Sequence, residues 1–262
     1  MKRDKRRTQS CRQDAVIPDR ERVRRGRILV EIEPLFTTRM ECPFCAESFD
    51  ISRVRSRFKK PSQIDSDFCP HYAEHRLNPD YYVVRVCPNC GCASTENSIK
   101  NWNHAQRQAF RERIASQWTR KEYGGERTWE QAMETYQLAL LTAQTIGEHK
   151  RVVAGLLHHI AWLFRYRGME AEEQRYLRFA LEAYISVYEY EWQDQNDARL
   201  MYMIGEMHRR LGEYNEAGKY FTRIIQDKRI MDAAMIRAAR EQWQQMREEM
   251  QEGKENPEGT PI

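Results

Sequence analysis

The sequence predicts a mainly α protein in which a long helical array follows a small β-rich module. Two observations support this division. The N-terminal part contains two Cys-x2-Cys pairs, and the chain between Pro88 and Pro257 has no proline and is rich in Ala, Glu, Gln, Arg and Leu. Long proline-free runs of good helix formers are typical of helices. We therefore expect a metal-stabilised module at residues 27–100 and a helical array at residues 101–250.

Length and charge constrain the rest of the chain. The 262 residues are 40% hydrophobic, which is enough to bury the cores of two domains. Residues 1–27 hold eleven Lys or Arg against four Asp or Glu, whereas the whole chain has a net charge of only +4. Without aromatic residues or hydrophobic periodicity, residues 1–26 are expected to form a disordered basic tail, and residues 251–262 a second disordered tail.

Four cysteines give the strongest functional signal in the chain: Cys42, Cys45, Cys87 and Cys90. Zn2+ prefers four thiolate or imidazole ligands in a tetrahedron, and two residues between paired cysteines let one tight turn direct both sulfurs at one ion. The proline after the first cysteine of each pair favours such a turn. We therefore predict that these four cysteines bind one structural Zn2+; a redox-active Cys-x2-Cys pair and ordinary buried thiols are the alternatives.

Short apolar runs near the cysteine pairs predict strands. Arg27–Ile32 alternates in hydrophobicity, and Tyr81–Val86 leads into the second pair with residues of high strand propensity. A strand beside each pair would give a zinc-ribbon-like module, in which β-ribbons are held at one end by the metal. The 41 residues between the pairs form an insertion, with a basic edge strand or loop at Val54–Lys60 and a polar turn at Asp65–Tyr72.

The insertion contains further side chains that can bind metals or carry charge. Cys69, His71 and His75 could supply a second metal site or replace one cysteine of the first; alternatively, Cys69 is a small buried hydrophobe and the histidines lie on the surface. Asp65 and Asp67 flank a serine, which is more typical of an Asx turn or a cap than of acid–base catalysis.

The chain from Pro34 to Ile99 resembles a known family. The strings ECPFCAESFD, SRVRSRF, DSDFC and NPDYYVVRVCPNCG are similar to those of an uncharacterised bacterial family, domain of unknown function 2225 (DUF2225). The resemblance implies a cysteine-rich N-terminal module followed by tetratricopeptide-like helices, and it implies no activity. The chain departs from the expected pattern at Cys92, where we would expect an aromatic residue, and Cys92 could either pack in the core or compete as a metal ligand.

The helical part contains an internal repeat that resembles the tetratricopeptide pattern. One copy consists of Met201, Ile204, Gly205, His208, Gly212, Tyr214, Ala217 and Phe221. An earlier copy consists of Leu157, Ile160, Ala161, Phe164, Gly168, Leu177 and Ala180, and a partial one of Ala132, Tyr136 and Ala139. Small residues such as Gly205 would let paired helices approach closely. A cap helix should follow, with Met235, Ala239, Gln242, Met246 and Met250 on one face and its end near Gly253 and Pro257.

The inward-facing positions of tetratricopeptide arrays, carried over to this chain, predict a basic and aromatic groove. Its predicted partner-binding residues are His158, Trp162, Arg165, Tyr166, Arg199, Tyr202, Arg209 and Arg210, with Glu206 among them. Arginines beside aromatic rings suit an acidic peptide segment or a terminal carboxylate. Since arginines near a helix C-terminus also favour the helix dipole, Arg209 and Arg210 have a structural explanation as well.

The sequence therefore predicts a non-enzymatic adaptor that binds a protein or peptide partner through its helical groove. It has no P-loop, dinucleotide fingerprint, zinc-protease helix or nucleophile elbow. The alternative is a nucleic-acid-associated regulator, in which the Met1–Arg27 region and Arg53, Arg55, Arg57, Lys59 and Lys60 lie along phosphates; the basic tail could instead bind anionic lipid or only confer solubility. Without an apolar leader or a membrane span, a cytoplasmic location is expected.

Overall fold

The computed structural model describes residues 32–73, 77–191 and 197–255. The chain divides into two units, Met1–Glu33 and Pro34–Ile262, and nearly all of the first lies outside the described residues. The predicted tail at residues 1–26, most of the predicted strand Arg27–Ile32, and His75 also lie outside them. The predicted module from Pro34 onward and the predicted helical array both belong to the second unit.

Three antiparallel hairpins are found in the described part of the N-terminal module. The longest joins strands β1 (Leu35–Glu41) and β2 (Ser48–Val54), which pair along their whole length. The other two are short: β3 (Gln63–Ile64) pairs with β4 (Pro70–His71), and β5 (Arg85–Val86) pairs with β6 (Ala93–Ser94). The first Cys-x2-Cys pair lies in the turn between β1 and β2, and the second lies in the turn between β5 and β6.

Two strand predictions differ from the structure. The predicted strand Tyr81–Val86 is extended only at β5, because Pro79–Tyr82 forms a 3-10 turn. Asn78 stabilises that turn, since its side chain accepts a hydrogen bond from the Asp80 backbone N–H at 2.9 Å. In the predicted basic strand or loop Val54–Lys60, Val54 ends β2 and residues 56–58 form another 3-10 turn.

Helices dominate the rest of the chain. Within the described residues there are seven α-helices: α1 (His104–Arg113), α2 (Trp129–Ile146), α3 (Lys150–Arg165), α4 (Glu170–Ser186), α5 (Ala198–Arg210), α6 (Tyr214–Gln226) and α7 (Ala233–Glu255). Side-chain caps define the start of several. Asn103 and Thr128 each form a capping box with a glutamine three residues later, and Gly147 ends α2 in the left-handed conformation.

Two helical hairpins repeat the same turn. Helices α3 and α4 are joined near Gly168, and α5 and α6 near Gly212; both glycines have a positive φ, of 64° and 76°. Inside the second hairpin, a Cβ placed on Gly205 would lie 2.9 Å from the Phe221 ring. The predicted close approach of these two helices at Gly205 is therefore confirmed.

Three buried clusters connect the module to the helices. The cysteine turns pack with Trp102 and with Phe110 and Ile114 at the end of α1. The β5–β6 hairpin packs through Val84 and Val86 against α2 and α3. A third cluster joins α4, α5, α6 and α7, and Phe68 of the insertion packs against it.

The last helix has the predicted buried stripe. Ala239 and Met246 are buried, and Met235 and Met250 pack against the same cluster. Helix α7 runs through Gly253 to Glu255, so Gly253 does not end it as predicted. Among the described residues, no helix combines the length and the apolar character needed to cross a membrane.

Candidate functional site

The four predicted ligand cysteines lie together. Their sulfurs are all within 4.8 Å of one another, with Cys42 Sγ 3.6 Å from Cys90 Sγ and Cys45 Sγ 3.7 Å from Cys87 Sγ. A tetrahedral zinc with Zn–S bonds of about 2.3 Å requires S–S edges of about 3.8 Å, whereas a disulfide requires about 2.05 Å. Sulfurs from both pairs share one site, so the four cysteines fit a single metal ion better than a redox pair within either turn.

The two cysteine turns have the same backbone geometry. The Ala46 N–H donates to the Cys42 carbonyl at 3.0 Å, and the Gly91 N–H donates to the Cys87 carbonyl at 3.0 Å. Ala46 and Gly91 also share a left-handed conformation, with φ of 60° and 73°. Each hairpin therefore presents its two sulfurs in the same way, and the module has a pseudo-symmetric pair of ligand turns.

The surroundings of the cluster are largely buried. Cys92 is buried beside it and accepts a hydrogen bond from the Cys87 N–H through its carbonyl, but it is not one of the four clustered ligands. Trp118 covers the second turn, and its indole N–H donates to the Pro88 carbonyl at 2.8 Å. Hydrogen bonds from Cys87 and Cys90 lower the pKa of Cys42, while the shared bond with Cys42 raises the pKa of Cys87 to about 12.

A second buried polar feature lies where the insertion meets the helical array. Asp67 is 0% exposed, and its carboxylate accepts hydrogen bonds from Arg165 at 2.9 and 2.7 Å and from Trp162 at 3.1 Å. His158 Nε2 lies 3.2 Å from the same carboxylate, and Arg210 lies 3.3 Å from it. Five side-chain contacts of this kind make Asp67 the centre of a carboxylate clamp, a name we use for Asp67 with these four partners.

Burial and the neighbouring side chains shift the pKa values of Asp67 and His158 in the clamp. Burial alone would raise the pKa of Asp67, but hydrogen bonds from His158 and Arg165 outweigh burial and hold that pKa well below its ordinary value. Burial lowers the pKa of His158 despite its bond to Asp67. His158 is therefore neutral at neutral pH, and because a carboxylate only accepts hydrogen bonds, its Nε2 carries the proton.

Glu206 forms a second buried carboxylate centre next to the clamp. It is 0% exposed and accepts hydrogen bonds from Ser66 Oγ at 2.6 Å, Arg210 Nε at 2.8 Å and Arg209 Nε at 2.9 Å. Arg210 also donates to Ser66 Oγ at 3.0 Å. Ser66 Oγ thus donates a hydrogen bond to Glu206 and accepts one from Arg210.

Aromatic contacts complete the groove. The Tyr202 hydroxyl donates to the Ser66 carbonyl at 2.8 Å. The Phe68 ring contacts the Tyr202 ring, and the Arg199 guanidinium lies 4.9 Å from the centroid of the Phe68 ring. The Tyr166 hydroxyl lies 2.8 Å from the Pro70 carbonyl.

All eight residues predicted to bind a partner therefore contact the segment at residues 65–70 of their own chain. This segment, which we call the acidic loop, occupies the groove. That these eight residues bind a partner stays a prediction, and sequence reasoning did not identify Ser66, Asp67 and Phe68 as residues that they contact. The available signal was complementary charge, because an Asp-Ser-Asp-Phe string lies in the insertion and four arginines are among the predicted groove residues.

The acidic loop and His71, the residue that follows it, provide three potential metal ligands. Asp65, Cys69 and His71 have ligand atoms within 4.8 Å of one another, and His71 Nε2 lies 2.9 Å from Asp65 Oδ2. Cys69 is fully buried, and burial raises its pKa to about 12. This cluster is separate from the four-cysteine site, so these residues do not replace a cysteine there.

The basic residues assigned to nucleic acid in the alternative prediction have contacts within the module. Arg53 forms an ion pair with Glu96 at 2.8 Å, and the Arg55 guanidinium lies 5.1 Å from the Phe36 ring centroid. The others are exposed: Arg57, Lys59 and Lys60. The Met1–Arg27 region lies outside the described residues.

Comparison with known proteins identifies the family but no characterised relative. No curated protein and no solved structure matches the chain. Residues 35–246, which include all three hairpins and most of the helical array, match a family described as an uncharacterized protein conserved in bacteria. The chain therefore belongs to this family, DUF2225.

Proposed function

We propose that this protein is a zinc-stabilised interaction scaffold whose helical groove binds an acidic protein segment. The observation that supports this function best is the position of the acidic loop, since all eight predicted groove residues contact it. A tight hairpin turn with carboxylates and one aromatic ring is thus a ligand whose chemistry the groove can satisfy.

Zinc is the metal that the four cysteines would hold. The sulfur separations of 3.6 and 3.7 Å are close to the edge of a zinc–thiolate tetrahedron, and soft thiolates select zinc over hard cations. The six cysteines within the described residues form no disulfide, which agrees with a reducing compartment such as the cytoplasm. The ion would fix the two cysteine hairpins, and the module would then be zinc-ribbon-like.

The array would be tetratricopeptide-like in its two helical hairpins. Support comes from Gly168 and Gly212 at equivalent turns and from the close approach at Gly205. Arrays of this kind present the first helix of each hairpin to a ligand. Here those helices are α3 and α5, which supply His158, Trp162 and Arg165 on one side and Tyr202 and Arg209 on the other.

Binding in the groove would be dominated by charge-assisted hydrogen bonds. The Arg165 guanidinium donates one hydrogen bond to each oxygen of Asp67. This two-point geometry fixes the orientation of the carboxylate and also stabilises the bound segment. A partner would need a carboxylate at the Asp67 position and an aromatic ring at the Phe68 position. The acidic loop is part of the same chain, so it competes with a partner for the groove at an effective concentration on the order of millimolar. A partner binds measurably only if its affinity and concentration are high enough to displace the loop.

The test is to loosen the loop and offer its sequence in trans. Asp67→Ala removes the carboxylate that anchors the loop, and a fluorescent peptide covering residues 63–71, with serine replacing Cys69, serves as the probe. We expect saturable binding to Asp67→Ala and much weaker binding to Asp50→Ala, in which an exposed aspartate of β2 is changed instead. Binding should disappear in the Asp67→Ala/Arg165→Gln variant.

Specificity is checked with a peptide in which both aspartates are asparagine. The amide peptide should not bind, because it cannot form the ion pairs. If neither peptide binds a folded Asp67→Ala protein, or if both bind equally, the groove does not recognise acidic segments and the proposed function is wrong.

A further inference from the structure

The β3–β4 hairpin places three metal-binding side chains on one face. The Asp65 N–H donates to the Cys69 carbonyl at 2.9 Å, so the two residues are cross-strand neighbours whose side chains point the same way. Cys69 directly precedes β4 in the same antiparallel register, and His71 follows it by two residues, a spacing that places both side chains on one face. The hairpin itself therefore brings a carboxylate, a thiol and an imidazole together.

The distances suit a small divalent ion. All three ligand atoms lie within 4.8 Å of one another, and His71 Nε2 is 2.9 Å from Asp65 Oδ2. Zinc bonds of about 2.0–2.3 Å require ligand separations of about 3.3–3.8 Å in a tetrahedron. A shift of the half-exposed His71 ring by well under 1 Å would open the carboxylate–imidazole pair to this spacing.

The surrounding charges favour a cation. Ion pairs connect five carboxylates to only three guanidiniums: Asp65, Asp67, Glu173, Glu206 and Glu249 against Arg165, Arg209 and Arg210. His158 adds no charge because it is neutral. The connected network thus has two more negative than positive charges, and a divalent cation at Asp65 would balance them.

We propose that Asp65, Cys69 and His71 form a second zinc-type metal site, independent of the four-cysteine site. Three protein ligands leave the fourth coordination position open. The His71 side chain is 37% exposed, so solvent reaches the site, and the open position would take a water molecule or an external donor.

A neighbouring side chain is placed to support the ligands. Arg165 Nη1 donates to Asp65 Oδ2 at 2.8 Å. Hydrogen bonds of this type orient metal ligands from outside the coordination sphere. Arg165 also bonds Asp67 and Glu173, so its charge is already compensated and does not repel the ion strongly.

The experiment counts metal ions on the full chain. The protein is purified under reducing conditions, dialysed against Co2+ and then against buffer, and the total of zinc and cobalt per chain is measured by elemental analysis. Absorption spectra record the thiolate-to-cobalt charge-transfer band. We expect two ions per chain in the wild type and one in His71→Asn, which changes a half-exposed side chain and leaves the fold intact.

Two further variants show whether the second ion is bound at the hairpin or elsewhere on the protein. His104→Asn changes an exposed histidine at the start of α1 and should keep both ions. Cys69→Ser should lose the second ion together with its single-thiolate band. The proposal is overturned if the wild type binds only one ion and that ion persists in both His71→Asn and Cys69→Ser, or if two ions persist in both variants. A wild type with an ion at the hairpin but none at the four cysteines would instead contradict the structural zinc site alone.

Discussion

Asp67 and Arg165, 98 residues apart in the chain, form a buried two-point ion pair with N–O distances of 2.9 and 2.7 Å. The pair joins the insertion of the cysteine module to helix α3. An isolated carboxylate at a position with no exposed surface would be costly, so the four surrounding donors are a condition for the loop to lie there. The module and the helical array consequently share one buried polar centre in addition to their apolar contacts.

Changing a cysteine of either turn should release the structural metal. Cys42→Ser and Cys87→Ser are each expected to lose one metal ion per chain and the ordered structure of the module, because a structural zinc contributes about 10–16 kcal/mol of apparent binding free energy. Elemental analysis and circular dichroism measure both effects. Cys92→Ser, a buried neighbour outside the four-cysteine set, is the control and should retain the ion; retention of the ion by Cys42→Ser would rule out the four-cysteine site.

The two cysteine turns predict opposite effects of glycine and alanine. Ala46→Gly should stabilise the protein by up to about 1 kcal/mol, because glycine adopts the left-handed conformation without strain. Gly91→Ala should destabilise it, since the new Cβ would overlap the Trp118 ring and alanine would be strained at the positive φ of this position. Chemical denaturation measures the free energy of unfolding of both variants. If both changes shift it in the same direction, the two turns do not share the left-handed conformation described above.

Helix α5 requires glycine at one position, and α6 provides a matched control. Gly205→Ala should lower the free energy of unfolding by about 1–3 kcal/mol, because its Cβ would lie 2.9 Å from the Phe221 ring. Gly218→Ala meets only Met246 at 3.6 Å, and there alanine should be neutral or stabilising by about 0.5–1 kcal/mol. A Gly205→Ala protein as stable as the wild type would contradict the close helix approach.

The buried histidine of the clamp should make stability depend on pH. The folded-state pKa of His158 is lowered by burial, so below about pH 6.5 the unfolded chain takes up a proton that the folded protein does not. Stability should therefore fall as the pH decreases from 6.5, with a slope of up to about 1.4 kcal/mol per pH unit. The charged and titratable groups around His158 are Asp67, Arg165, His159 and Tyr184.

The difference between wild type and His158→Gln isolates this contribution. His158→Gln keeps a donor near Asp67 and does not titrate, so its stability curve should be flatter between about pH 5 and 7. Parallel curves for the two proteins would show that His158 is not held neutral in the folded state.

Local features were predictable from the sequence because they depend on a few neighbouring residues. The spacing and prolines of the cysteine turns predicted the clustered sulfurs of Cys42 and Cys90, which lie 3.6 Å apart. Repeated small residues predicted the helical hairpins and the approach at Gly205. In both cases the pattern of residue types itself specifies the geometry.

Long-range features were not predictable in the same way. The path of the insertion decides that Asp67 reaches Arg165, and neither helical nor strand periodicity describes that path. The β1–β2 hairpin was not predicted because residues 35–41 alternate only weakly in hydrophobicity. Tyr81–Val86 was predicted as a strand because of its high strand propensity, although its first residues belong to the turn capped by Asn78. Charge complementarity between the insertion and the groove was the one signal available for the clamp.

A double-mutant cycle between Asp67 and Arg165 tests most directly whether the acidic loop is bound in the groove. The free energy of unfolding is measured for the wild type, Asp67→Asn, Arg165→Gln and the double variant. Each single change should cost about 3–5 kcal/mol, because it leaves a buried charge without its partner, and the double variant should cost little more than either one. Single effects below about 1 kcal/mol that simply add would show that the two residues do not interact and that the loop does not occupy the groove.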